Sequence, residues 1–231
     1  MQLFYQPELI QGANYLDPEE SRHAIKVLRK QQGDTIDLID GAGTFYKAEI
    51  TEANFKKCQF SITDQQSEPK RDGLRHLAIA PTKNLDRTEW LVEKAVEIGV
   101  DRISFLHCQN SERTVLKIDR LIKKAISAMK QSIKATLPQI DEMVKLKSFL
   151  QQCETRSKFI AYVDFDNPRQ LKDCLSSGQE SVVLIGPEGD FDPAELQMAE
   201  EAGFVKVSLG ESRLRTETAG LAAVHILNLF S

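Results

Sequence analysis

The chain has little cysteine, and what it has carries no ligand pattern. Cys58, Cys108, Cys153 and Cys174 stand far apart among 231 residues, with no C-x-x-C pair and no histidine at ligand spacing. Neither zinc nor a disulfide framework is implied. Each lies in or beside an apolar segment and reads as a small buried thiol. No run approaches the roughly 18 to 20 apolar residues that a membrane span needs. The segment Met1-Gln2-Leu3-Phe4-Tyr5-Gln6-Pro7 also lacks the charged head and apolar core of a secretory signal, so the expected location is the cytoplasm. Positive charge is in deficit: 30 Lys and Arg against 34 Asp and Glu leave a net charge of -4, which argues against a protein coated with phosphate-binding cations. Three motifs are missing as well. No G-x-G-x-x-G follows the strand-like Leu74 to Ala80, which disfavours dinucleotide binding, and no G-x-x-x-x-G-K-[ST] or G-x-S-x-G occurs, which disfavours a P-loop and a serine-hydrolase elbow.

With 41% apolar residues the chain can bury a real core in one large or two modest domains. Three β-like pieces, Thr35 to Ile39, Thr44 to Ile50 and Cys58 to Thr63, suggest a small β-rich module over residues 1–68. The polar stretch from Gln65 to Gly73 reads as a linker. From residue 74 to residue 231 strands and helices alternate. Strands are expected at Leu74 to Ala80, Arg102 to Leu106, Lys158 to Val163, Ser181 to Ile185 and Val205 to Leu209. Helices are expected from an Asp86 N-cap to Ile98, from Ile118 to Ala135, in a short piece before Lys158, from Pro168 to Leu175, from an Asp192 N-cap to Ala202, and from Thr216 to Phe230. This alternation predicts an α/β domain with a mostly parallel sheet covered on both faces. The last helix is apolar around most of its circumference, and a second copy of the chain is expected to supply part of its cover.

Two local runs oppose the overall negative charge. Arg22, Lys26, Arg29 and Lys30 crowd one short segment around His23, and Arg113, Lys117, Arg120, Lys123, Lys124, Lys130 and Lys134 follow one another with only Glu112 and Asp119 among them. Either run alone is consistent with a solvated helix face; two favour a polyanionic partner. His76, His107 and His225 lie in apolar strands or the last helix and read as interior or interface side chains, and Trp90 and Phe159 read as core.

The most informative residues come late. Leu184-Ile185-Gly186-Pro187-Glu188-Gly189 ends one apolar run and Ser208-Leu209-Gly210 ends the next, so two glycine turns are expected to leave adjacent strands at one edge of the sheet. In an open α/β sheet that edge is where ligands bind. Glycine lets backbone approach a ligand closely, and proline fixes the turn, an arrangement suited to a flat heteroaromatic edge such as adenine. A plain strand-to-loop turn is the alternative for either segment alone.

Ile185 to Gly189, Ser208-Leu209-Gly210 and Leu214-Arg215-Thr216-Glu217-Thr218-Ala219 together resemble the signature of the RsmE-type 16S rRNA uridine N3-methyltransferases of the SPOUT superfamily. The resemblance extends to Lys94 through Val100, Ser111-Glu112-Arg113, and His23 through Arg29. It implies a PUA-like β-barrel followed by a parallel-sheet methyltransferase domain whose C-terminal segment is threaded as a trefoil knot, with S-adenosylmethionine as cofactor. It implies further a homodimer that completes the active site through the C-terminal helix, and 16S rRNA, within the small ribosomal subunit, as partner. By the same resemblance Leu184, Ile185, Gly186, Pro187, Glu188 and Gly189 flank the cofactor on one side. Leu209, Gly210, Ser212, Leu214, Arg215, Thr216 and Ala219 flank it on the other. Arg22, His23, Lys26, Arg29, Arg113, Lys130 and Lys134 face RNA. Two positions depart from the family pattern: Asp190 stands where a second glycine is common, and Lys130 and Lys134 replace an acid and an arginine.

Methyl transfer to uridine N3 requires loss of the N3 proton, so a base or a nearby cation must assist. Arg215 or Arg113 is expected to act electrostatically, with Glu217 orienting one of them; a purely structural Arg215–Glu217 pair is the alternative. A non-catalytic rRNA-binding or ribosome-assembly protein, and a SPOUT methyltransferase acting at another RNA site, are the competing readings.

Overall fold

A computed structural model describes residues 2–69, 71–163 and 169–230. The chain divides into two compact units, Met1–Lys70 with Ile126–Leu137, and Arg71–Ala125 with Pro138–Ser231.

The first unit contains β1 (Leu3–Tyr5), α1 (Pro18–Arg22), which continues as a π-helical turn (His23–Val27), β2 (Thr35–Ile39), β3 (Thr44–Glu52) and β4 (Gln59–Ser67). They form a four-stranded sheet in chain order, β1 parallel to β2 and the rest antiparallel. Along β3, Tyr46, Ala48 and Ile50 alternate inward, as the two-residue period of a strand dictates, and meet Phe4, Leu16, Ala24, Ile36, Leu38 and Phe60 in one core. The expected linker is shorter at its start than its polarity suggests, because β4 runs on to Ser67 with Gln65 and Gln66 paired to Tyr46 and Phe45. Exposed side chains on β4 can be polar at no cost while the backbone stays in the ladder. Asp17 caps α1 by accepting from the Glu20 amide at 2.8 Å, with Pro18 at the first helical position.

The second unit contains β5 (Leu74–Ile79), α2 (Leu85–Ile98), β6 (Arg102–His107), the start of α3 (Ile118–Gln131), β7 (Gln139–Ile140), β8 (Val144–Lys145), α4 (Leu146–Gln152), β9 (Ser157–Ala161), β10 (Glu180–Ile185), α5 (Pro193–Glu201), β11 (Val205–Val207) and α6 (Thr216–Leu229). The strand order is β11-β9-β10-β5-β6-β7, with β8 also on β6, and every pairing is parallel. Central strands β5 and β10 are buried almost throughout; β10 reads as an apolar run from Val182 to Ile185, whereas β5 buries Arg75 and His76 beside its apolar residues. β7 and β8, two residues each, are too short for any periodicity to reveal.

Several boundaries move for identifiable reasons. The N-cap of α2 is Asn84, whose side chain accepts from the Asp86 amide at 3.0 Å; Asp86 itself lies in the first turn. α3 stops at Gln131, not Ala135, because Ile133 takes a left-handed φ of 54°. Within the expected helix Pro168 to Leu175 there is only a 3-10 turn, Leu171–Cys174, and Pro168 lies outside the described residues. α5 has the full capping box: Asp192 accepts from the Ala194 amide at 2.9 Å, and Glu195 accepts from the Asp192 amide at 3.0 Å. Trp90 is not core. It is 45% exposed, since α2 turns Leu91, Val92, Ala95 and Val96 inward and leaves Trp90 on the other face, whereas Phe159 is buried as expected. Cys58 and Cys108 are buried, and Cys153 and Cys174 half-buried, all four as free thiols.

α6 packs closely on β5 and α2. A Cβ at Gly220 would fall 2.8 Å from Ile79 Cδ1 and 3.0 Å from Leu91 Cδ1, so glycine sets the distance of approach. Ala223, Val224 and Leu227 continue this buried stripe. The other face, with His225 and Leu229 exposed and Leu221 and Ile226 half-buried, remains open to solvent.

Candidate active site

Because all strands of the second unit run parallel, the segments that leave β5, β6, β9, β10 and β11 emerge at one edge. The two glycine turns do meet there, though not from adjacent strands: β9 lies between β10 and β11. A cleft of about 740 Å³ therefore opens over the end of β9, with Ala161, Tyr162 and Val163 contributing to its wall.

The turn after β10 is held by its own packing. A Cβ on Gly186 would come within 3.1 Å of the Phe191 ring and 3.3 Å of the Asp190 carboxylate, so only glycine lets Phe191 bury itself against the turn. The Asp190 amide donates to the Pro187 carbonyl at 2.9 Å, and the Asp190 carboxylate accepts from the Phe191 amide at 2.8 Å. From the β6 side, Asn110 Nδ2 donates to the carbonyls of Gly189 and Asp190 at 3.3 and 3.1 Å. Glu188 Oε1 accepts from the Lys83 amide at 2.9 Å, tying the turn to the segment after β5. The turn after β11 closes on Ser208, whose Oγ accepts from the Gly210 amide at 3.2 Å and donates to the Gly210 carbonyl at 2.8 Å, with Gly210 at a φ of 127°. α6 then begins at Arg215, an N-cap with no side-chain bond to the first-turn amides.

Of the residues singled out from sequence, Ile185, Gly186, Pro187, Glu188, Leu209, Gly210, Ser212, Leu214, Arg215, Thr216, Glu217 and Ala219 all line this cleft. Two cofactor candidates do not. Leu184 is wholly buried in the core beside Ala78, Ile160 and Phe191, and Gly189 packs on Asn110. Arg113 does not line the cleft either: its Nε donates to the Thr82 carbonyl at 3.0 Å and its Nη2 to the Lys83 carbonyl, so it braces the segment to which Glu188 is tied. Glu217 faces Arg87 of α2, with Oε1 3.7 Å from the guanidinium Nε. The sequence gives no sign of Arg87; only the packing of α2 on α6 brings it to the cleft. Tyr162 is another contributor the pattern did not suggest, although its place at the end of a parallel strand is a usable signal.

Among the RNA candidates, Arg22, Lys26 and Arg29 are exposed on α1 and the turn that follows it. His23 is half-buried, with its ring 5.9 Å from that of Phe4 and Nδ1 3.9 Å from Glu20. Lys130 is ion-paired with Glu20 and Lys134 is half-buried. The β3–β4 connection adds residues that no motif flagged: Phe55 is 39% exposed with Lys26 Nζ 4.8 Å from its ring centroid, and Lys57 Nζ lies 4.3 Å from that of Tyr15. No histidine is among the described residues that line the cleft. His76 is buried, bonds Ser104 Oγ at 2.8 Å, and is pushed down to about 4 by burial; His107 is half-buried and His225 exposed. Among the described residues no group of three or more His, Cys, Asp and Glu could hold a metal ion, and no helix is long and apolar enough to cross a membrane.

Comparison with known proteins agrees with this architecture. A family model described as an RNA methyltransferase domain matches residues 70–228, and one described as an RNA methyltransferase PUA domain matches residues 16–63. A ribosomal RNA small subunit methyltransferase E of Mesomycoplasma hyopneumoniae is 31% identical over 160 residues, covering 67% of this chain and 68% of the relative. The crystal structure of a probable rRNA-methyltransferase from Porphyromonas gingivalis superposes with a TM-score of 0.91 at 44% identity, covering 100% of this chain and 98% of that one. A ribosomal RNA small subunit methyltransferase E from Neisseria gonorrhoeae, bound to S-adenosyl methionine, gives 0.85 at 29% identity, covering 99% and 97%. The parallel sheet with its edge cleft and its N-terminal PUA unit is thus that of an RNA methyltransferase. Within that class, the chain belongs to the family of ribosomal RNA small subunit methyltransferase E.

Asp190 combines strain with burial. Its φ of 62° is left-handed, and burial raises its carboxyl above the ordinary range, the Phe191 amide and Arg213 opposing this only in part. Because folding raises this pKa, the associated stability is fully present below the unfolded value and is lost as pH rises through the folded one. Asparagine keeps the bond to Phe191 and tolerates the left-handed region, so Asp190→Asn is expected to be more stable than the parent at pH 7. The advantage should shrink as pH falls to 4, as urea melts at both pH values will show; a constant or inverted difference contradicts the assignment.

Proposed function

We propose that the cleft of the second unit transfers a methyl group from S-adenosylmethionine to N3 of a uridine in 16S rRNA. Residues 74–231 carry the chemistry and residues 1–68 hold RNA. The observation that carries this reading is the convergence of the Gly186 and Gly210 turns and the α6 N-terminus on one cleft, in a chain of the small-subunit methyltransferase family.

The residues present suit the donor. A cleft of about 740 Å³ is within the range of small-molecule sites. Ile185, Leu209, Leu214 and Ala219 give it apolar surface for a flat base. The uncapped first turn of α6 offers backbone N–H groups and the positive end of the helix dipole to a carboxylate. The bound donor supplies an electrophilic methyl group on a sulfonium. Arg215, at the cleft wall, places a cation where the uracil oxygens gather charge as N3 loses its proton. Arg113 acts at one remove, by fixing the segment after β5 that Glu188 grips.

The exposed cations Arg22, Lys26 and Arg29, with Phe55 beside Lys26, give the first unit a face suited to phosphates and unpaired bases. The open apolar face of α6 supports a homodimer, and the return of α6 to β5 supports threading of the chain after β11 as in a trefoil knot. The site of action is the small ribosomal subunit in the cytoplasm.

Mass mapping of 16S rRNA from a deletion strain, with and without this chain restored, should show one methyl group at a uridine N3 that depends on the chain. A methyl group at another atom, or none, contradicts the reading. Arg215→Ala is expected to lose about a hundredfold in turnover while donor affinity, read by calorimetry, changes by less than about threefold. Equal losses in both count against the electrostatic role.

A further inference from the structure

Glu217 is the least explained charged group in the second unit. It stands in the first turn of α6 at 7% exposure, yet it lines the cleft. Its Oε2 is buried and has no hydrogen-bond partner among the described residues. Leaving one carboxylate oxygen buried and unbonded carries an uncompensated desolvation cost, so a structural role alone does not account for the residue. Its one ion pair among the described residues is with Arg87, at 3.7 Å from Oε1, too long for a hydrogen bond. The side chain is therefore held next to a cation without having its acceptor sites used.

Resting on the methyl-transfer reading above, we propose that the Glu217 carboxylate receives the N3 proton of the target uracil, and that Arg87 stabilises the charge this leaves on the uracil. N3–H lies between two carbonyls and its nitrogen has no free pair for attack while the proton remains. In the step, the N3–H proton passes to the Glu217 carboxylate and the pair left on N3 forms the bond to the methyl carbon. The electrons of the breaking carbon–sulfur bond stay on sulfur. Protonation neutralises Glu217, which releases Arg87 from its anionic partner at the moment the uracil oxygens gain charge.

The surroundings are consistent with this assignment. The other charged groups of the cleft are Glu188 and Asp190 after β10 and Glu211, Arg213 and Arg215 after β11; β5 meets α6 through Leu77 and Ile79. Glu188 is already bonded to the Lys83 amide and Asp190 to the Phe191 amide. Glu217 alone of these carboxylates is both buried and left with an oxygen free of bonds.

The test compares the wild-type chain with Glu217→Gln in single-turnover methylation of unmodified small-subunit RNA from pH 6 to 9, alongside calorimetry with S-adenosylmethionine. Glutamine matches the shape but cannot take the proton. The expected result is a rate about a hundredfold or more below wild type at pH 7 that climbs about tenfold per pH unit as N3 loses its proton unaided, where the wild type is nearly flat, with donor affinity within about threefold. A rate near wild type overturns the assignment. So does a tenfold loss of donor affinity with an unchanged pH profile, since the carboxylate then serves to hold the donor. Arg87→Met, at a half-exposed helical position, guards against a misfolded glutamine variant: it should slow turnover about tenfold and keep the flat profile, and loss of donor binding in it contradicts the scheme. A wild-type chain that methylates another atom, or none, overturns the underlying reading instead, and is distinguishable because no variant is needed to see it.

Discussion

The cleft depends on the close packing of Phe191 beneath Gly186. Three backbone segments converge on it, and backbone becomes a binding surface only if it is prevented from collapsing onto itself or wandering into solvent. Phe191 fills the space below the β10 turn, which Gly186 leaves open by having no side chain. Asn110 and the Lys83 amide hold the same turn from the ends of β6 and β5. A larger residue at 186 would displace the aromatic ring, and the turn's carbonyls and amides would lose their common direction. The strain of Asp190 is accepted within this arrangement because its carboxylate bonds the next amide.

From that constraint the division of labour in the second unit follows. Parallel pairing puts every strand's carboxyl end at one edge, so segments far apart in sequence reach a single volume. Gly220 lets α6 settle close to β5 and α2, and that depth of packing brings Glu217 within reach of Arg87. The first unit contributes a different kind of surface. Its cations stand on one helical segment and on a strand connection, partly stacked on Phe55 and Tyr15, and the negative total charge of the chain conceals them.

Much of this was legible in the sequence. The α/β alternation, the capping box of Asp192 and Glu195, and the two glycine turns announce themselves locally, because caps and turns depend on a few neighbouring residues. The walls of the cleft were named through the family resemblance, whose motifs run through the same two turns and the start of α6. What could not be read is whatever depends on distant contacts. That β9 separates β10 and β11, that Leu184 faces the core, and that Arg113 braces a neighbouring segment all follow from tertiary packing. Arg87 has no motif at all, and Trp90 misleads, since a large aromatic residue on a helix reads as core until the packed face is known. Lys130 belonged to a convincing basic run and is nonetheless paired with Glu20, a partner 110 residues away in sequence.

The central claim is that the turns after β10 and β11 and the first turn of α6 act as one binding surface for S-adenosylmethionine. Hydrogen–deuterium exchange with and without that donor tests it most directly. The account predicts added protection of amides across 185–191 and 208–218 together, and little change elsewhere in either unit. Protection confined to one turn, or falling outside the cleft, contradicts it.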